Sequence, residues 1–197
     1  AKKNLPQFRI AETEKYAHVT YFFNSQKEKP FPKEERTLID SPKCPSYAEK
    51  PEMSAYGITK TLLEKMKKKD YALIVLNFAN CDLVGHSGDL RASIKAVEII
   101  DECLKKIISE ALEKNYHIIV TGDHGNIEYM IYDTGEKKGE PCPSHTTNPV
   151  PFLLISKKYK KAALQKGELR DIAPTILKIM DIKKPEEMTG KILIKKL

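Results

Sequence analysis

Two hydrophobic periods alternate along the chain. YALIVLNF (71–78) is a nearly continuous apolar run, the pattern of a strand covered on both faces. YHIIVTG (116–122) and VPFLLIS (150–156) read the same way, and the aromatic, β-branched YAHVTYFFN (16–24) predicts a further strand. Between them the period lengthens to that of a helix. SAYGITKTLLEKMKK (54–68) is one such segment. Asp89 is placed to cap a long helix running to about Lys114, with Val97, Ile100, Leu104, Ile107, Ile108 and Ala111 as its inward stripe. DIAPTILKIM (171–180) predicts a last helix with Pro174 in its first turns, where a missing N–H is tolerated. Residues 25–51, with prolines at 30, 32, 42, 45 and 51, predict an irregular excursion too long for an ordinary loop. The alternation of strands and helices specifies an α/β fold with a largely parallel sheet and helices on both faces.

Composition changes this picture little. The 197 residues are 41% hydrophobic and 31% charged, ordinary for a globular protein, and no apolar run reaches the length of a membrane span. The N-terminal AKKNLPQ has no signal-peptide core. Cys44, Cys81, Cys103 and Cys142 form no CxxC pair and read as reduced thiols of a reducing compartment; Cys81 and Cys142 lie near loops rich in Asp and His, where small neutral filler competes with a metal role. The net charge of +7 comes almost entirely from lysine runs such as KMKKKD and SKKYKK, which lack aromatic interleaving and read as a solvated surface, although a positive field favours a small anionic substrate.

The candidate chemistry is concentrated in three loops. NCDLVGHSG carries Asp82 and His86, TGDHGN carries Asp123 and His124, and PCPSHTTNP carries His145. Two of them leave the carboxyl ends of predicted strands, where open α/β sheets bind ligands, and the third precedes a strand and would fold back over the same rim. Two carboxylates and three imidazoles make an oxygen–nitrogen donor set suited to Mn²⁺, Zn²⁺ or Fe²⁺ rather than Ca²⁺. Five ligands exceed one tetrahedral site and fall short of two, so a two-metal centre lacking some ligands fits best. The plainer alternative is that Asp123 caps a short turn at GNIEYM and that the loop histidines lie on the surface. His18 and His117 fall within predicted strands and read as core or hydrogen-bonded residues.

AETEKYAHVTYFFN, PEMSAYGIT, LIVLNFANCDLVGHSG, VTGDHGNIE, SHTTNPVPFLLIS and DIAPTILKIMDIKKPEEMTGKILI, in that order over nearly the whole chain, closely resemble the C-terminal part of cofactor-independent phosphoglycerate mutase, a family of the alkaline phosphatase superfamily. The resemblance implies an alkaline phosphatase-like α/β fold, with residues 1–197 as the C-terminal portion of its metal-binding phosphatase domain. It implies an isomerase of glycolysis and gluconeogenesis that interconverts 3-phosphoglycerate and 2-phosphoglycerate through a phosphoserine intermediate and two Mn²⁺ ions. The parent enzyme is then cytoplasmic and monomeric, with neither a nucleic-acid nor a membrane partner. Matched residue by residue, Asp82, His86 and His145 hold the first manganese, Asp123 and His124 help hold the second, and Lys15 of AETEKY faces the transferring phosphoryl group.

The same comparison marks what does not match. The family's nucleophilic serine and a further aspartate ligand come from near the start of the full protein, and a separate transferase domain supplies the arginines that grip phosphoglycerate. Arg9, Arg36 and Arg91 stand in no motif that matches that clamp, and Ser87 and Ser144 lie in metal-ligand loops rather than in the nucleophile's setting. The chain alone is therefore expected to be inactive. A glycine pair usual after FFN is replaced by Ser25-Gln26, a glycine usual before EER by Lys33, CPSYAEK (44–50) replaces a more regular stretch, and Gly122 stands where alanine is common. Two other readings compete: a phosphate-ester hydrolase of the same superfamily, and a basic, non-enzymatic binding module.

Overall fold

The strand that organises the molecule is one the hydrophobic pattern does not reveal. In the computed structural model, which describes residues 2–195, β1 (Gln7–Glu12) has all six residues buried, although Gln7, Arg9 and Glu12 are polar or charged. It lies between two parallel neighbours, β2 (Glu34–Ile39) and β3 (Leu73–Asn77), in the order β2-β1-β3. Gln7 stands opposite both Glu34 and Leu73, so the three strands begin at one edge and end at the other. β3, expected to be covered on both faces, is only half-buried along its length, and β1 takes the covered position instead.

Two expectations fail here. Residues 16–22 are helical and 23–24 a turn: α1 (Thr13–Ala17) runs directly into a π-helix, His18–Phe22. Lys15, Val19, Thr20 and Asn24 are buried at intervals of four to five residues while Phe22 and Phe23 are exposed, so helical amphipathicity overrides the strand preference of the aromatic and β-branched residues. The 25–51 excursion is not wholly irregular, because it contains β2 and a short 3₁₀ turn, Tyr47–Glu49. The charges of EERTLI mask that strand. The buried Glu34 carboxylate accepts from Asn24 Nδ2 (2.9 Å), Arg36 Nε (2.7 Å) and the Phe31 amide (3.2 Å).

The helices form largely where expected. α2 (Ala55–Lys68) buries Ala55, Ile58, Thr59, Leu62 and Met66, a single helical face that packs on β1. Strand alternation sends Phe8 and Arg9 to opposite sides of the sheet. Lys65 of α2 lies over the Phe8 ring, and the Arg9 guanidinium lies over Phe23 just beyond the π-helix, so helical segments cover both faces. α3 (Asn80–Gly85) follows β3. α4 (Leu90–Glu113) starts at Asp89, whose carboxylate accepts from the Ala92 amide at 2.9 Å, as the capping pattern predicts. Its buried stripe is rotated from the expected one: Ala92, Ala96, Ile99, Cys103, Ile107 and Ala111 are buried, Ile100, Leu104 and Ile108 half-buried, and Val97 exposed. Small residues seat the helix closely and leave the larger aliphatics on its flank.

The chain divides into two compact units, Ala1–Glu110 with Gly125–Asn148, and Ala111–His124 with Pro149–Leu197. The sheet just described belongs to the first. In the second, β4 (Ile118–Thr121) and β5 (Phe152–Ile155) pair antiparallel, Ile118 opposite Ile155. α5 (Ile172–Ile179) carries Pro174 as its third residue, and the Asp171 carboxylate before it accepts from the amides of Glu168 and Lys191.

Candidate metal centre

Because β1 and β3 are parallel neighbours, their carboxyl ends open on the same edge. Lys15 lies three residues past the end of β1, in α1, and Asp82 five residues past the end of β3, in α3. The two meet there: Lys15 Nζ is 2.5 Å from Asp82 Oδ2, and Lys15 is buried. His86, one helical turn after Asp82, places Nε2 3.2 Å from Asp82 Oδ1. His145 places its Nε2 3.0 Å from the same oxygen and 3.2 Å from His86 Nε2.

His145 is brought to this rim by a polar turn that sequence reasoning passed over. The Thr146 amide donates to the Gly125 carbonyl at 2.9 Å. The Glu128 carboxylate accepts from the Asn126 amide (2.8 Å), from Asn148 Nδ2 (3.1 Å) and from the Thr146 hydroxyl. Burial pushes the Glu128 carboxyl up, but the bonds from Thr146, Asn126 and Asn148 outweigh it and hold the group below the usual carboxylate range. Residues 125–130 form no helix, and residues 127–128 are a turn, as the GNIEYM reading expects.

One oxygen of a carboxylate and one nitrogen from each of two imidazoles thus form a triangle with edges of 3.0, 3.2 and 3.2 Å. Ligands about 2.1 Å from a common ion stand about 3.0 Å apart at right angles and about 3.4 Å apart in a tetrahedron. The triangle has the size of adjacent ligands around one divalent ion, and its nitrogen–oxygen composition would suit a borderline metal. Burial and then the charge of Asp82 push the Cys81 thiol up. All four cysteines are free.

The remaining candidates are placed as follows. Asp123 and His124 close the 111–124 segment of the second unit, with His124 Nε2 3.7 Å from Asp123 Oδ1. His117, at the foot of β4, shares a 2.7 Å hydrogen bond between Nδ1 and Ser156 Oγ, as its reading as a bonded residue requires, and burial followed by the Lys158 charge lowers its pKa. His18 is exposed on the π-helix rather than in the core, in a T-shaped contact with the Phe22 ring. Ser87 Oγ donates to the Val84 carbonyl at 2.6 Å, and Ser144 is exposed. Arg9 is buried, Arg36 pairs with Glu34, and Arg91 is exposed. A fourth arginine, Arg170, which the comparison with the substrate clamp left out, pairs with Glu168 at the surface.

Residues 1–184 match the metalloenzyme superfamily. The chain belongs to that superfamily. Within it, the 2,3-bisphosphoglycerate-independent phosphoglycerate mutase of Moorella thermoacetica is 53% identical over 196 residues, and that of Antithamnion sp. 50% identical over 196. These alignments cover 100% and 98% of this chain but 37% and 38% of the relatives, so the chain spans less than two-fifths of the length of the curated relatives it matches. The phosphoglycerate mutase of Leishmania mexicana, solved at low cobalt concentration, superposes with a TM-score of 0.88 at 30% identity over 100% of this chain and 38% of that one. A structure of the PH0037 protein of Pyrococcus horikoshii shares the fold alone, at 16% identity and a TM-score of 0.57 over 93% of this chain and 51% of that one. The resemblance read from the motifs is borne out, as is the alkaline phosphatase-like α/β fold with its parallel sheet. Among the described residues, no helix of this superfamily member is long and apolar enough to cross a membrane.

Proposed function

We propose that these residues supply the metal-holding part of a phosphoglycerate mutase that interconverts 3-phosphoglycerate and 2-phosphoglycerate in glycolysis and gluconeogenesis. The observation that carries the reading is the Asp82–His86–His145 donor triangle beside a buried lysine. In this reading those three residues hold one Mn²⁺, and Asp123 and His124 serve a second. Divalent cations held by such donors offset negative charge on phosphoryl oxygens.

The chain's own groups have separable tasks. Asp82 presents Oδ1 to the two imidazoles and Oδ2 to Lys15, so one carboxylate aligns both ligands and the ammonium. Lys15, held without freedom to swing, adds positive charge beside the phosphoryl group without reorganisation during the reaction. Glu128 fixes the loop of His145. The matched motifs offer no nucleophilic serine: the Ser87 hydroxyl is engaged with Val84. The nucleophile and the arginine clamp are assigned to sequence outside these 197 residues, and the parent to the cytoplasm, where four free thiols are stable.

A coupled assay for 2-phosphoglycerate formed from 3-phosphoglycerate in Mn²⁺ tests this. The chain alone is expected to give no turnover, and a protein extended to the length of the relatives to give Mn²⁺-dependent turnover that His145→Ala abolishes. Turnover by the chain alone, or an extended protein indifferent to His145, would contradict the reading.

A further inference from the structure

Asn126 and Gly85 form a pair that the metal ligands themselves do not explain. Asn126 is 4% exposed. Its Nδ2 lies 2.8 Å from Asp82 Oδ1, 3.3 Å from the Asp82 carbonyl, and 3.2 and 3.4 Å from Nε2 and Nδ1 of His86. A carboxylate and a carbonyl only accept, so the amide nitrogen must face Asp82, and this fixes which end of the side chain points where. The other end, Oδ1, is buried with no hydrogen-bond partner among the described residues.

Oδ1 is directed at bare backbone. A Cβ added to Gly85 would overlap Asn126 Oδ1 and lie 3.2 Å from its Cγ. Gly85 sits at the end of α3 without a positive φ, so the backbone there accepts any residue, and glycine is needed for space rather than conformation. Asp82, Gly85 and His86 stand at i, i+3 and i+4, on one helix face. The missing side chain is therefore a slot between two metal ligands, and the Asn126 carboxamide fills it.

We propose that Asn126 is the positioning residue of the Asp82–His86 ligand pair and that Gly85 is the gap that admits it. The amide holds the Asp82 carboxylate so that Oδ1 faces the imidazoles while Oδ2 remains on Lys15, and the ligands are ordered before an ion arrives. The inference rests on the metal-centre reading above. Outer partners of this kind are worth about 10–100-fold in metal affinity.

The test is a calorimetric titration of Mn²⁺ into the wild-type chain, Asn126→Ala, Gly85→Ala and the double variant, each with its metal-free melt. Each single change is expected to weaken Mn²⁺ binding about 10-fold or more. Gly85→Ala, whose Cβ overlaps the buried carboxamide, is expected to lower the metal-free melt, and its Mn²⁺ affinity, read at a temperature where the variant is folded, carries the test even if Asn126→Ala folds poorly. The double variant is expected to bind no more weakly than Asn126→Ala, because the new Cβ enters the space that the carboxamide vacated. Wild-type affinity in both single variants, or effects that simply add in the double, would overturn the proposal while leaving the metal centre standing. Absence of Mn²⁺ binding by the wild-type chain would overturn the metal reading and this inference with it.

Discussion

The two edges of the parallel sheet each carry a carboxylate with a lysine ammonium at 2.5 Å, yet the two have opposite characters. At the amino edge, Glu35 gathers only donors: Lys69 Nζ at 2.5 Å, Lys65 Nζ at 3.3 Å and the Tyr71 hydroxyl at 2.8 Å. Hydrogen bonds from Lys69 and Tyr71 pull its pKa down to about 2. Its neighbour Glu34 is closed in the same way, by Asn24, Arg36 and the Phe31 amide. At the carboxyl edge, Asp82 has its lysine and an amide, but its other two partners are imidazoles whose Nε2 atoms also face each other at 3.2 Å. A carboxylate ringed by donors is complete; one that gathers further metal-binding atoms leaves a place for a cation. An ion-pair distance does not separate the two cases, and the identity of the third and fourth partners does.

The largest expected effect sets the edges against each other in stability. Glu34→Ala strands Arg36 and Asn24 in a buried setting and should cost about 3 kcal/mol in denaturant unfolding. His145→Ala, at a half-exposed side chain, should cost less than about 0.5 kcal/mol while removing a proposed metal ligand. Equal losses would break the contrast. The amino edge also holds the three residues that the sequence resemblance reads as replacing glycines. Ser25, Gln26 and Lys33 have φ of 55°, 62° and 60°, the left-handed region that favours glycine. The Lys33 carbonyl accepts from the Gln7 amide at 2.9 Å, so the turn is tied to β1. Lys33→Gly should raise stability by about 0.5–1 kcal/mol, net of the entropy that glycine adds to the unfolded chain, and an unchanged chemical-denaturation midpoint would remove the strain argument.

The smallest effect belongs to Glu35. Its folded pKa lies below the ordinary value of 4.5, so its contribution is present above pH 4.5 and is lost as pH falls toward about 2. The side chain is 37% exposed and screened by solvent, which limits Glu35→Gln to less than about 1 kcal/mol at neutral pH. The difference between the two proteins should shrink on acidification through that window; a difference that grows would reverse the assignment.

The same two edges show what was legible in the sequence. The existence of α2, α4, α5, β3, β4 and β5 follows from hydrophobic period, although β3, β4 and β5 are half-buried rather than covered and the buried stripe of α4 is rotated. The charges Arg9, Glu12, Glu34 and Arg36 mask β1 and β2, because the first three are buried and Arg36 pairs with Glu34, and burial of a charge cannot be read along one strand. Residues 16–24 were misread because residue type was weighed above helical burial. At the site, Asp82, His86 and His145 stood out by chemistry, and parallel pairing of β1 with β3 explains why Lys15 joins them. Asn126 and Glu128 act through their neighbours, and nothing in their spacing says so.

The central claim is that Asp82, His86 and His145 hold one divalent cation. Anomalous diffraction from crystals of this chain grown with Mn²⁺ tests it most directly. The account predicts a manganese peak about 2.0–2.3 Å from Asp82 Oδ1, His86 Nε2 and His145 Nε2 together, and its disappearance in His86→Ala crystals. A manganese peak bound elsewhere, or a peak at this site that survives the loss of His86 unchanged, would contradict it.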